Sequence, residues 1–502
     1  MDDKQPSGLS AEELFERGIG ITYDDFTILD TIFTDIDRED ITLKSELGNG
    51  IYLQTPIIAS PMDTVTNAEL CIAIALEGGI GCIHYNYKNQ DGSSDIDEQI
   101  REIERVKRFK NGFIEHPITV SSDQTIGQVI ELIAENRIGK SGFKIDTFPV
   151  TYAGEPHGRL VGLLRKQDYS RTQHRSLKVR ERMLPLEKLI KAEWPITLQE
   201  ANKILWDSHI SSLCVTEGEK LKYLVTRSDL DKHEEYPLAT IDDNKRLRVL
   251  FAVGTRPEQG YEILERGFAA GADGCIVDTS QGFTKHSAGM LKYIIKNYSD
   301  KLIIGGNIST KEAYEYLNKL GTHADRDGQG GGSICTTAGS IGIARAAAAA
   351  VYHCAKQQGN MRTLADGGIK HVGDIVKAQS NGASIVVLGK MLAGTEESPG
   401  ETIVDPESGL LVKIYRGMGS PEANVGGIRG YKKLPQGITG HVQYRGSIHK
   451  WIPLIRDGMI SAYHVLNCRD INELHKKVYN GEIRFERRTI GSSQESKTNV
   501  LK

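Results

Sequence analysis

The sequence predicts an α/β fold in which eight parallel strands and their helices close into a (β/α)8 barrel, with a second domain inserted in it. Short apolar runs that end in glycine or polar residues recur along the 502-residue chain, as in buried parallel strands. Helical patterns lie between most of these runs, and strands that alternate with helices indicate a parallel sheet. Residues 113–236 break this alternation and repeat their own pattern, which indicates a separate module.

Eight segments are expected to form the barrel strands. Seven are apolar and open into a loop, at residues 55–63, 78–86, 248–255, 273–282, 301–309, 361–368 and 383–390. The eighth is expected at THADRDGQ, residues 322–329, although it is polar and carries an aspartate on each side of Arg326. Charges buried there would be costly unless they are paired. A closed barrel has its active site at the carboxyl ends of its strands. The alternative is an open doubly wound sheet, for which the sequence offers no GxGxxG turn.

The inserted segment contains two copies of one unit, at about residues 113–175 and 176–236. Each copy is expected to run as a strand at a Pro-Ile-Thr tripeptide, an amphipathic helix, a strand, a strand that ends near an aspartate, and a helix. The barrel is then expected at residues 1–112 and 237–502. The insertion falls between its second and third strands, where a loop tolerates it.

Composition is ordinary for a globular protein in solution. Hydrophobic residues make up 39% and charged residues 25%, and the net charge of −4 argues against a nucleic-acid or membrane-surface binder. The chain has seven cysteines, an odd number, and no CxxC pair, so neither a disulfide framework nor a zinc site is expected. A reducing compartment is expected instead. The acidic, polar N-terminus does not read as a signal peptide, and no apolar run reaches membrane-spanning length, so a cytoplasmic location is expected.

One cysteine follows a run of glycines in GQGGGSICTT, within an expected active-site loop at residues 328–340. Cys335 can be a nucleophile, a metal ligand or a small residue in a tight loop, and its spacing alone does not decide between them. The glycines and Ser333 can bind an anion through backbone N–H groups. The turns LADGG and VLGK suit the phosphate site that barrels often build after their last strands. Asp366 can accept two hydrogen bonds from a ribose, and a loop-capping role explains it equally well.

The order and spacing of several motifs resemble those of the IMP dehydrogenases over nearly the whole chain, from GITYDDFTILD to GEIRFERRT. The motifs are ASPMDTVT, GGIGCIHYN, VDTSQG, GGN, GGGSICTT, ADGGI, LAGTEESPGE, YRGMGS and PQGITGHVQYRGSIHK. The inserted module is similar to the paired cystathionine-β-synthase (CBS) domains of that family, also called a Bateman domain. The resemblance implies a TIM barrel with a tandem CBS insertion that oxidises IMP to XMP with NAD, a step of guanine nucleotide synthesis.

The resemblance also implies a covalent mechanism. In that family a loop cysteine, here Cys335, attacks C2 of the purine, which allows a hydride to leave to the nicotinamide, and the thioimidate is then hydrolysed. Thr337 matches a threonine that assists this chemistry. A mobile flap, here residues 420–440, carries an Arg-Tyr pair whose arginine is proposed to activate water. Arg429 and Tyr431 are the matching residues, although a glycine separates them here, and a solvated basic loop is the other interpretation of this segment.

Binding positions follow from the same resemblance. Those expected to contact IMP are Ser60, Met62, Ser333, Asp366, Gly368, Gly389, Lys390, Tyr415, Gly417, Met418, Gly419 and Gln436. Those expected on the cofactor side are Asp278, Thr279, Ser280, Asn307, Arg326, Gly328 and Gly330. Carbonyl oxygens of Gly330, Gly332 and Cys335 match the ligands of a monovalent cation, usually potassium (K⁺), and such oxygens suit a hard ion.

For the CBS pair the resemblance implies adenine or guanine nucleotides as effectors. Thr226 and Asp229 fit the Thr-x-x-Asp arrangement that holds a ribose, and Asp168 is the first-copy counterpart. Each aspartate can instead cap the start of a helix. The resemblance further implies a homotetramer or an octamer that binds IMP, with no membrane and no specific nucleic acid among its partners.

Two other functions remain open from the sequence. GMP reductase has the same barrel and cysteine, uses NADPH and does not need the hydrolytic flap, which is short here. A non-catalytic, nucleotide-binding paralogue would explain the polar sixth strand and the alanine run ARAAAAAV. The segments PQG and GSIHKWIPLIRDGM favour the dehydrogenase over the reductase. Turnover of IMP, as opposed to binding without turnover, would distinguish an enzyme from a binding subunit.

Overall fold

The structure, a computed structural model, describes residues 7–16, 18–89, 92–109, 113–114, 117–135, 147–227, 236–357, 359–424 and 434–495. The elements before the inserted module are α1 (Ala11–Leu14), β1 (Phe26–Leu29), β2 (Ser45–Gly48), β3 (Ile51–Leu53), β4 (Ile57–Ala59), α2 (Ala68–Leu76), β5 (Ile80–Ile83) and α3 (Ile96–Arg108). Those of the module are β6 (Phe113–Ile114), β7 (Val120–Ser121), α4 (Ile126–Glu135), β8 (Thr147–Thr151), β9 (Leu160–Arg165), β10 (Leu184–Pro185), β11 (Lys191–Glu193), α5 (Leu198–Asp207), β12 (Ser212–Glu217) and β13 (Lys220–Thr226).

The remaining elements continue the alternation of strands and helices and then add a C-terminal extension. The alternating part comprises β14 (Val249–Val253), α6 (Pro257–Ala269), β15 (Gly274–Val277), α7 (Lys285–Asn297), β16 (Leu302–Ile308), α8 (Lys311–Leu320), β17 (Ala324–Asp327), α9 (Thr337–Ile341), α10 (Ala347–Ala355), β18 (Arg362–Asp366), α11 (Val372–Ser380), β19 (Ile385–Leu388) and α12 (Lys390–Ala393). The extension comprises β20 (Thr402–Val404), β21 (Leu411–Arg416), β22 (Thr439–Gln443), α13 (Ile448–Val465), α14 (Ile471–Tyr479), β23 (Arg484–Arg487) and α15 (Ile490–Glu495). Within the described part of the chain, no helix has the length and apolar character needed to cross a bilayer.

Eight strands close a barrel in the order β14-β15-β16-β17-β18-β19-β4-β5. All neighbouring pairs are parallel, and the pairing of β5 with β14 closes the ring. The predicted barrel is confirmed, and each predicted segment supplies one of its strands. The open doubly wound alternative is wrong because its sheet would leave two edge strands unpaired.

The polar segment expected as the sixth barrel strand is β17. Side chains alternate along a strand, so β17 presents its residues to two different environments. Ala324 packs inside the barrel with Ile304 and Leu364, and Arg326 reaches the cavity at the strand's carboxyl end. Asp325 and Asp327 therefore face the surrounding helices, and both are fully buried.

One buried carboxylate joins the two points where the barrel chain leaves for the module and returns from it. Lys107 Nζ lies 2.9 Å from Oδ2 of Asp273, and Arg248 Nη1 lies 2.9 Å from Oδ1. The amide of Val249, the first residue of β14, also donates to Oδ2 at 2.9 Å. The Asp273 and Lys107 side chains are only 7% and 5% exposed, so solvent screens this cluster little.

The inserted module forms a unit of its own, Arg108–Pro237 with Ile241–Leu247. The first four elements of each copy have the predicted order, β7-α4-β8-β9 and β11-α5-β12-β13. The helix expected next is a short 3₁₀ helix, Lys166–Asp168, in the first copy, and in the second copy it falls outside the described residues. The Pro-Ile-Thr tripeptides were expected within strands, and this is wrong: β7 begins after the first one and β11 ends before the second. Proline cannot donate to a strand ladder, and Thr197 instead caps α5 by accepting the amide of Glu200.

The two copies exchange short strands. Strand β6, at the start of the first copy, pairs with β13 of the second, and β10 of the second copy pairs with β9 of the first. A buried apolar cluster from both copies includes Leu160, Leu163, Leu221 and Leu224. Each four-stranded sheet is therefore complete only when both copies are folded.

His84, at the end of β5, should make stability depend on pH. It is 4% exposed, Nδ1 accepts the amide of Asn86 at 3.0 Å, and burial lowers the pKa of His84 to about 4. In the unfolded chain the pKa is near 6.5, so the stability that neutral His84 contributes is complete above pH 6.5 and is lost as pH falls towards 4. We expect this histidine to remove up to about 1.4 kcal/mol of unfolding free energy per pH unit in that window.

Urea unfolding at pH 7 and pH 5 measures this effect. His84→Asn keeps an acceptor for Asn86 and should show a weaker loss between the two pH values than the unchanged protein does. His441→Asn, at an exposed position, is the matched control and should lose as much as the unchanged protein. Equal losses for both variants would contradict the assignment.

Candidate active site

A cavity of about 850 Å³ lies at the carboxyl ends of the barrel strands. This volume is within the range of small-molecule sites. Each of the eight strands, or the loop that follows it, contributes lining residues, which is how barrel enzymes assemble a site from many short segments. The position expected from the sequence is therefore where the structure has its large cavity.

Every predicted catalytic, substrate, cofactor and cation residue that the structure describes lines this cavity. These residues are Cys335, Thr337, Ser60, Met62, Ser333, Asp366, Gly368, Gly389, Lys390, Tyr415, Gly417, Met418, Gly419, Gln436, Asp278, Thr279, Ser280, Asn307, Arg326, Gly328, Gly330 and Gly332. Their common location supports one shared site, while the role of each residue stays a prediction.

Cys335 is the accessible cysteine of the chain, because it is partly exposed and the other six are buried. Its Sγ lies 3.1 Å from Oγ1 of Thr337, the first residue of α9. Its amide donates to the Gly332 carbonyl at 3.0 Å, and the residue forms an isolated β-bridge with Gly437. A thiol exposed to a cavity beside a hydroxyl group fits a nucleophile better than a packing residue.

Arg326 organises the carboxylates on the cavity floor. Its Nη1 lies 2.8 Å from Asp278 Oδ1, and its Nη2 and Nε lie 2.7 and 3.1 Å from Asp366 Oδ2. Asn307 Nδ2 donates to the same Asp366 oxygen at 2.7 Å. Since these three hydrogen bonds from Arg326 and Asn307 all end on Oδ2, Asp366 Oδ1 can accept hydrogen bonds from a ligand. Burial alone would lower the pKa of Arg326, but the facing carboxylates outweigh it and raise that pKa. The charge of Arg326 at the end of β17 is thus compensated by Asp278 and Asp366, whereas its sequence neighbours Asp325 and Asp327 are not paired by it.

Gln436 is held between the YRGMGS turn and the cysteine loop. Its amide donates to the Gly419 carbonyl at 3.1 Å, and its carbonyl accepts the amide of Thr336 at 3.2 Å. The Ile438 amide donates to the Ile334 carbonyl at 3.0 Å and continues this pairing. Main-chain hydrogen bonds therefore hold the backbone of Gln436 next to Cys335.

Gly389 allows close approach at the end of β19. A Cβ atom there would lie 2.9 Å from the Tyr415 hydroxyl and 3.2 Å from Met62 Sδ. Burial raises the pKa of Tyr415 to about 12, so its phenol keeps the proton and can donate a hydrogen bond. A ligand can reach the backbone at Gly389 without meeting a side chain of that residue.

An ion pair behind the cavity was missed by the sequence argument. Arg416 Nε and Nη2 lie 3.0 and 2.8 Å from the Asp63 carboxylate, and Asn86 Nδ2 donates to it at 2.7 Å. These contacts join the loops after β4 and β5 to the end of β21. All three residues belong to motifs quoted above, and Asp63 and Arg416 directly follow the predicted ligand positions Met62 and Tyr415. These positions in the sequence could have identified the residues as part of the site.

Further polar residues line the cavity without having been predicted. They are Arg256, Gln259, Gln281, Thr284, His286, Gln329 and Lys370. Arg256 directly follows a predicted strand end and Lys370 follows ADGGI, so strand-end position could have identified these two. No comparable signal marks His286, which lies on α7.

Five predicted functional residues are not among the described residues of the cavity. Arg429, Tyr431 and Asp229 are outside the described residues. Asp168 and Thr226 belong to the second unit, where Asp168 ends the short 3₁₀ helix after β9 and Thr226 ends β13. The Asp168 carboxylate accepts Arg165 Nε and Nη2 at 3.0 and 2.9 Å, so a ribose there would compete with this ion pair.

Gly328, the first residue of the cysteine loop, should not tolerate a side chain. It has a φ of +153°, and a Cβ atom would lie 1.8 Å from the Asp366 carbonyl oxygen. We expect Gly328→Ala to cost about 1–3 kcal/mol of unfolding free energy and to lower activity by displacing the loop. Gly289→Ala, in α7 with no atom within 4 Å of its Cβ, should instead be neutral or slightly stabilising. Equal melting temperatures for the two variants would contradict this.

The chain was compared with known proteins. A family model described as an IMP dehydrogenase / GMP reductase domain matches residues 20–499. The inosine-5'-monophosphate dehydrogenase of Schizosaccharomyces pombe is 34% identical over 513 residues, 98% of this chain and 94% of that protein. The protein of the same name from Aquifex aeolicus is 36% identical over 474 residues, 91% and 92% of the two chains. A solved GMP reductase variant from Trypanosoma brucei, in complex with guanosine 5'-monophosphate, has a TM-score of 0.87 and 29% identity, covering 98% of this chain and 100% of that one.

Proposed function

Since the chain belongs to the IMP dehydrogenase/GMP reductase family of oxidoreductases, we propose that it oxidises IMP to XMP with NAD as hydride acceptor. The observation that carries the proposal is the partly exposed Cys335 in a cavity that also contains Gln436 and the braced Asp366. A covalent step at a purine carbon needs a nucleophile, a group that binds the base and a group that binds the ribose. In this proposal Cys335, Gln436 and Asp366 have these roles in that order.

The residues of the chain act in sequence on IMP. Asp366 Oδ1 accepts the ribose hydroxyl groups, while the backbone at Gly389 and the ammonium of Lys390 hold the phosphate. Gln436 hydrogen-bonds the purine and keeps C2 next to Cys335. The thiol loses its proton, its sulfur bonds to C2, and hydride departs from that carbon. Water then replaces sulfur at C2, which releases XMP and restores the thiol.

The cofactor side of the cavity suits a dinucleotide. Asp278, Thr279 and Ser280 follow β15 and offer a carboxylate and two hydroxyl groups, the donor set that a ribose takes. The ion pair from Arg326 fixes the Asp278 carboxylate at the cavity wall. NAD, when bound there, supplies the acceptor for the hydride.

A potassium ion at the carbonyl oxygens of Gly330, Gly332 and Cys335 would hold the cysteine loop in shape. The Gly332 carbonyl already accepts the Cys335 amide and has a second lone pair for a cation. Gly330 has a φ of +80°, and a Cβ atom there would come 2.6 Å from Ala344, so glycine is needed for the loop to fold this way. Carbonyl ligands match a hard monovalent ion.

GMP reductase is the second candidate, because the solved GMP reductase covers this chain with a TM-score of 0.87. The two functions differ in substrate pair, so one protein sample decides between them. NADH formed steadily from IMP and NAD in potassium buffer would support the dehydrogenase. NADPH consumed with GMP, without turnover of IMP, would overturn it in favour of the reductase. A single burst of NADH would show that hydride transfer occurs without hydrolysis.

The second unit is proposed to be a CBS pair that binds adenine or guanine nucleotides through Asp168, Thr226 and Asp229, on a homotetrameric enzyme. Its support is the repeated βαββ copies with exchanged strands. Calorimetric titration with ATP and GTP tests the binding, and no heat with either nucleotide would contradict it.

A further inference from the structure

A second polar cluster lies on the outer face of β17, away from the active-site cavity. Asp325 and Asp327 are both fully buried, and none of their four carboxylate oxygens accepts a hydrogen bond from the residues that the structure describes. Arg326, between them in sequence, points to the opposite face and is occupied by Asp278 and Asp366. The nearest arginine in sequence therefore does not neutralise this pair.

The cluster has a third member, Cys354 of α10, which is also fully buried. One carboxylate oxygen of Asp325, one of Asp327 and Sγ of Cys354 lie within 4.8 Å of one another. Helix α10 packs against β17 and β18, so the three side chains meet between the barrel wall and the helix layer.

Two carboxylates in this position are costly unless something compensates them. A buried, unpaired carboxylate either takes up a proton or pairs with a cation. Burial raises the pKa of Asp325 to about 7. Burial and then the charge of Asp325 raise the pKa of Asp327 well above its ordinary value. Burial and then the charge of Asp327 do the same to the pKa of the Cys354 thiol. Without a cation, these shifts therefore favour the protonated forms of the two carboxyl groups and the thiol.

We propose that Asp325, Asp327 and Cys354 bind a divalent metal ion of the zinc class, through one oxygen from each carboxylate and the thiolate sulfur. Sulfur argues against magnesium and calcium, which take oxygen ligands, whereas zinc and cobalt accept oxygen and sulfur together. Binding releases the protons that the empty cluster holds, so affinity should rise with pH. The ion would tie α10 to β17, the strand that leads into the cysteine loop. This inference does not depend on which substrate the active site takes.

The test uses the full chain in a Cys335→Ala background, which removes the accessible thiol and leaves the buried ones. The chelator-treated protein is titrated with Co²⁺ alone and followed by near-ultraviolet absorption, where a thiolate-to-cobalt band reports sulfur ligation. We expect about one equivalent to bind with that band, and zinc to be recovered from the untreated protein by elemental analysis. Cys354→Ser should abolish the band, whereas Cys468→Ser, at another buried cysteine, should keep it.

A second variant removes both carboxylates together, so that no unpaired charge is left buried in the core. Asp325→Val/Asp327→Val places apolar, β-branched residues on a buried strand and should fold, since apolar replacement of buried charges is often neutral or stabilising. It should bind no cobalt, and Zn²⁺ should no longer raise its melting temperature as it does that of the unchanged chain. Absence of the band in the Cys335→Ala protein, or an equal zinc-induced shift in the valine variant, would overturn the proposal.

Discussion

Replacing Cys335 by alanine is expected to lower kcat with IMP and NAD by on the order of 10⁴-fold or more. The Cys335 thiol is the group proposed to bond to the purine, and the other six cysteines are buried, so no neighbouring thiol can replace it. IMP binding should change only a few-fold, because the contacts proposed for phosphate, ribose and base come from other residues. Stopped-flow NADH absorbance and equilibrium binding of IMP measure the two effects separately.

Cys468→Ser is the matched control for this substitution. It changes a buried cysteine in the C-terminal extension, whose Sγ lies 3.3 Å from the Leu466 carbonyl oxygen and which does not line the cavity. Turnover should be that of the unchanged enzyme. If Cys335→Ala kept a kcat within tenfold of the unchanged enzyme, covalent catalysis by this residue would be excluded.

Removing Arg326 is expected to have the largest effect on stability. Its side chain is 6% exposed and bridges Asp278 and Asp366, so Arg326→Met leaves two carboxylates that are only 12% and 15% exposed without their cation. We expect a loss of about 3–5 kcal/mol of unfolding free energy. Catalysis should fail as well, because both carboxylates are placed by the same guanidinium. Denaturant unfolding of the variant, followed by circular dichroism, measures the first effect.

An exposed ion pair gives the comparison. Arg38 and Asp457 lie 2.6 Å apart, with side chains 42% and 69% exposed, and Arg38→Met should cost no more than about 1 kcal/mol. Asp278→Asn in the Arg326→Met background should restore part of the lost stability, since it removes one of the stranded charges. Losses of similar size at both arginines would contradict the proposed role of burial.

The barrel was predictable because its signal is repeated. Seven apolar runs with helices between them leave few alternatives, and the eighth strand could be placed at 322–329 by counting although its own composition argues against it. Sequence periodicity could not say which way its charges point. Only the closed barrel shows that Arg326 faces Asp278 and Asp366.

The site was predictable to the extent that it lies on strand ends. Cys335 and Gln436 were identified from motifs, and both line the cavity. The contact of Arg416 with Asp63 joins residues more than three hundred positions apart, and sequence alone does not place such residues side by side. The Pro-Ile-Thr tripeptides recur in both copies but lie beside strands and not within them, because proline has no N–H to donate to a strand ladder.

The cluster at Asp273 also has a meaning for chain entropy. Lys107 and Arg248 both form ion pairs with the Asp273 carboxylate. The barrel therefore keeps the two ends of the insertion at a fixed short distance from each other, whatever segment lies between them. For the barrel, the second unit is equivalent to one loop whose two ends are fixed. The entropic cost of closing a loop grows only with the logarithm of its length, by about 0.6 kcal/mol per doubling. The barrel can therefore carry an insertion of this size, or a much shorter one, at nearly the same entropic cost.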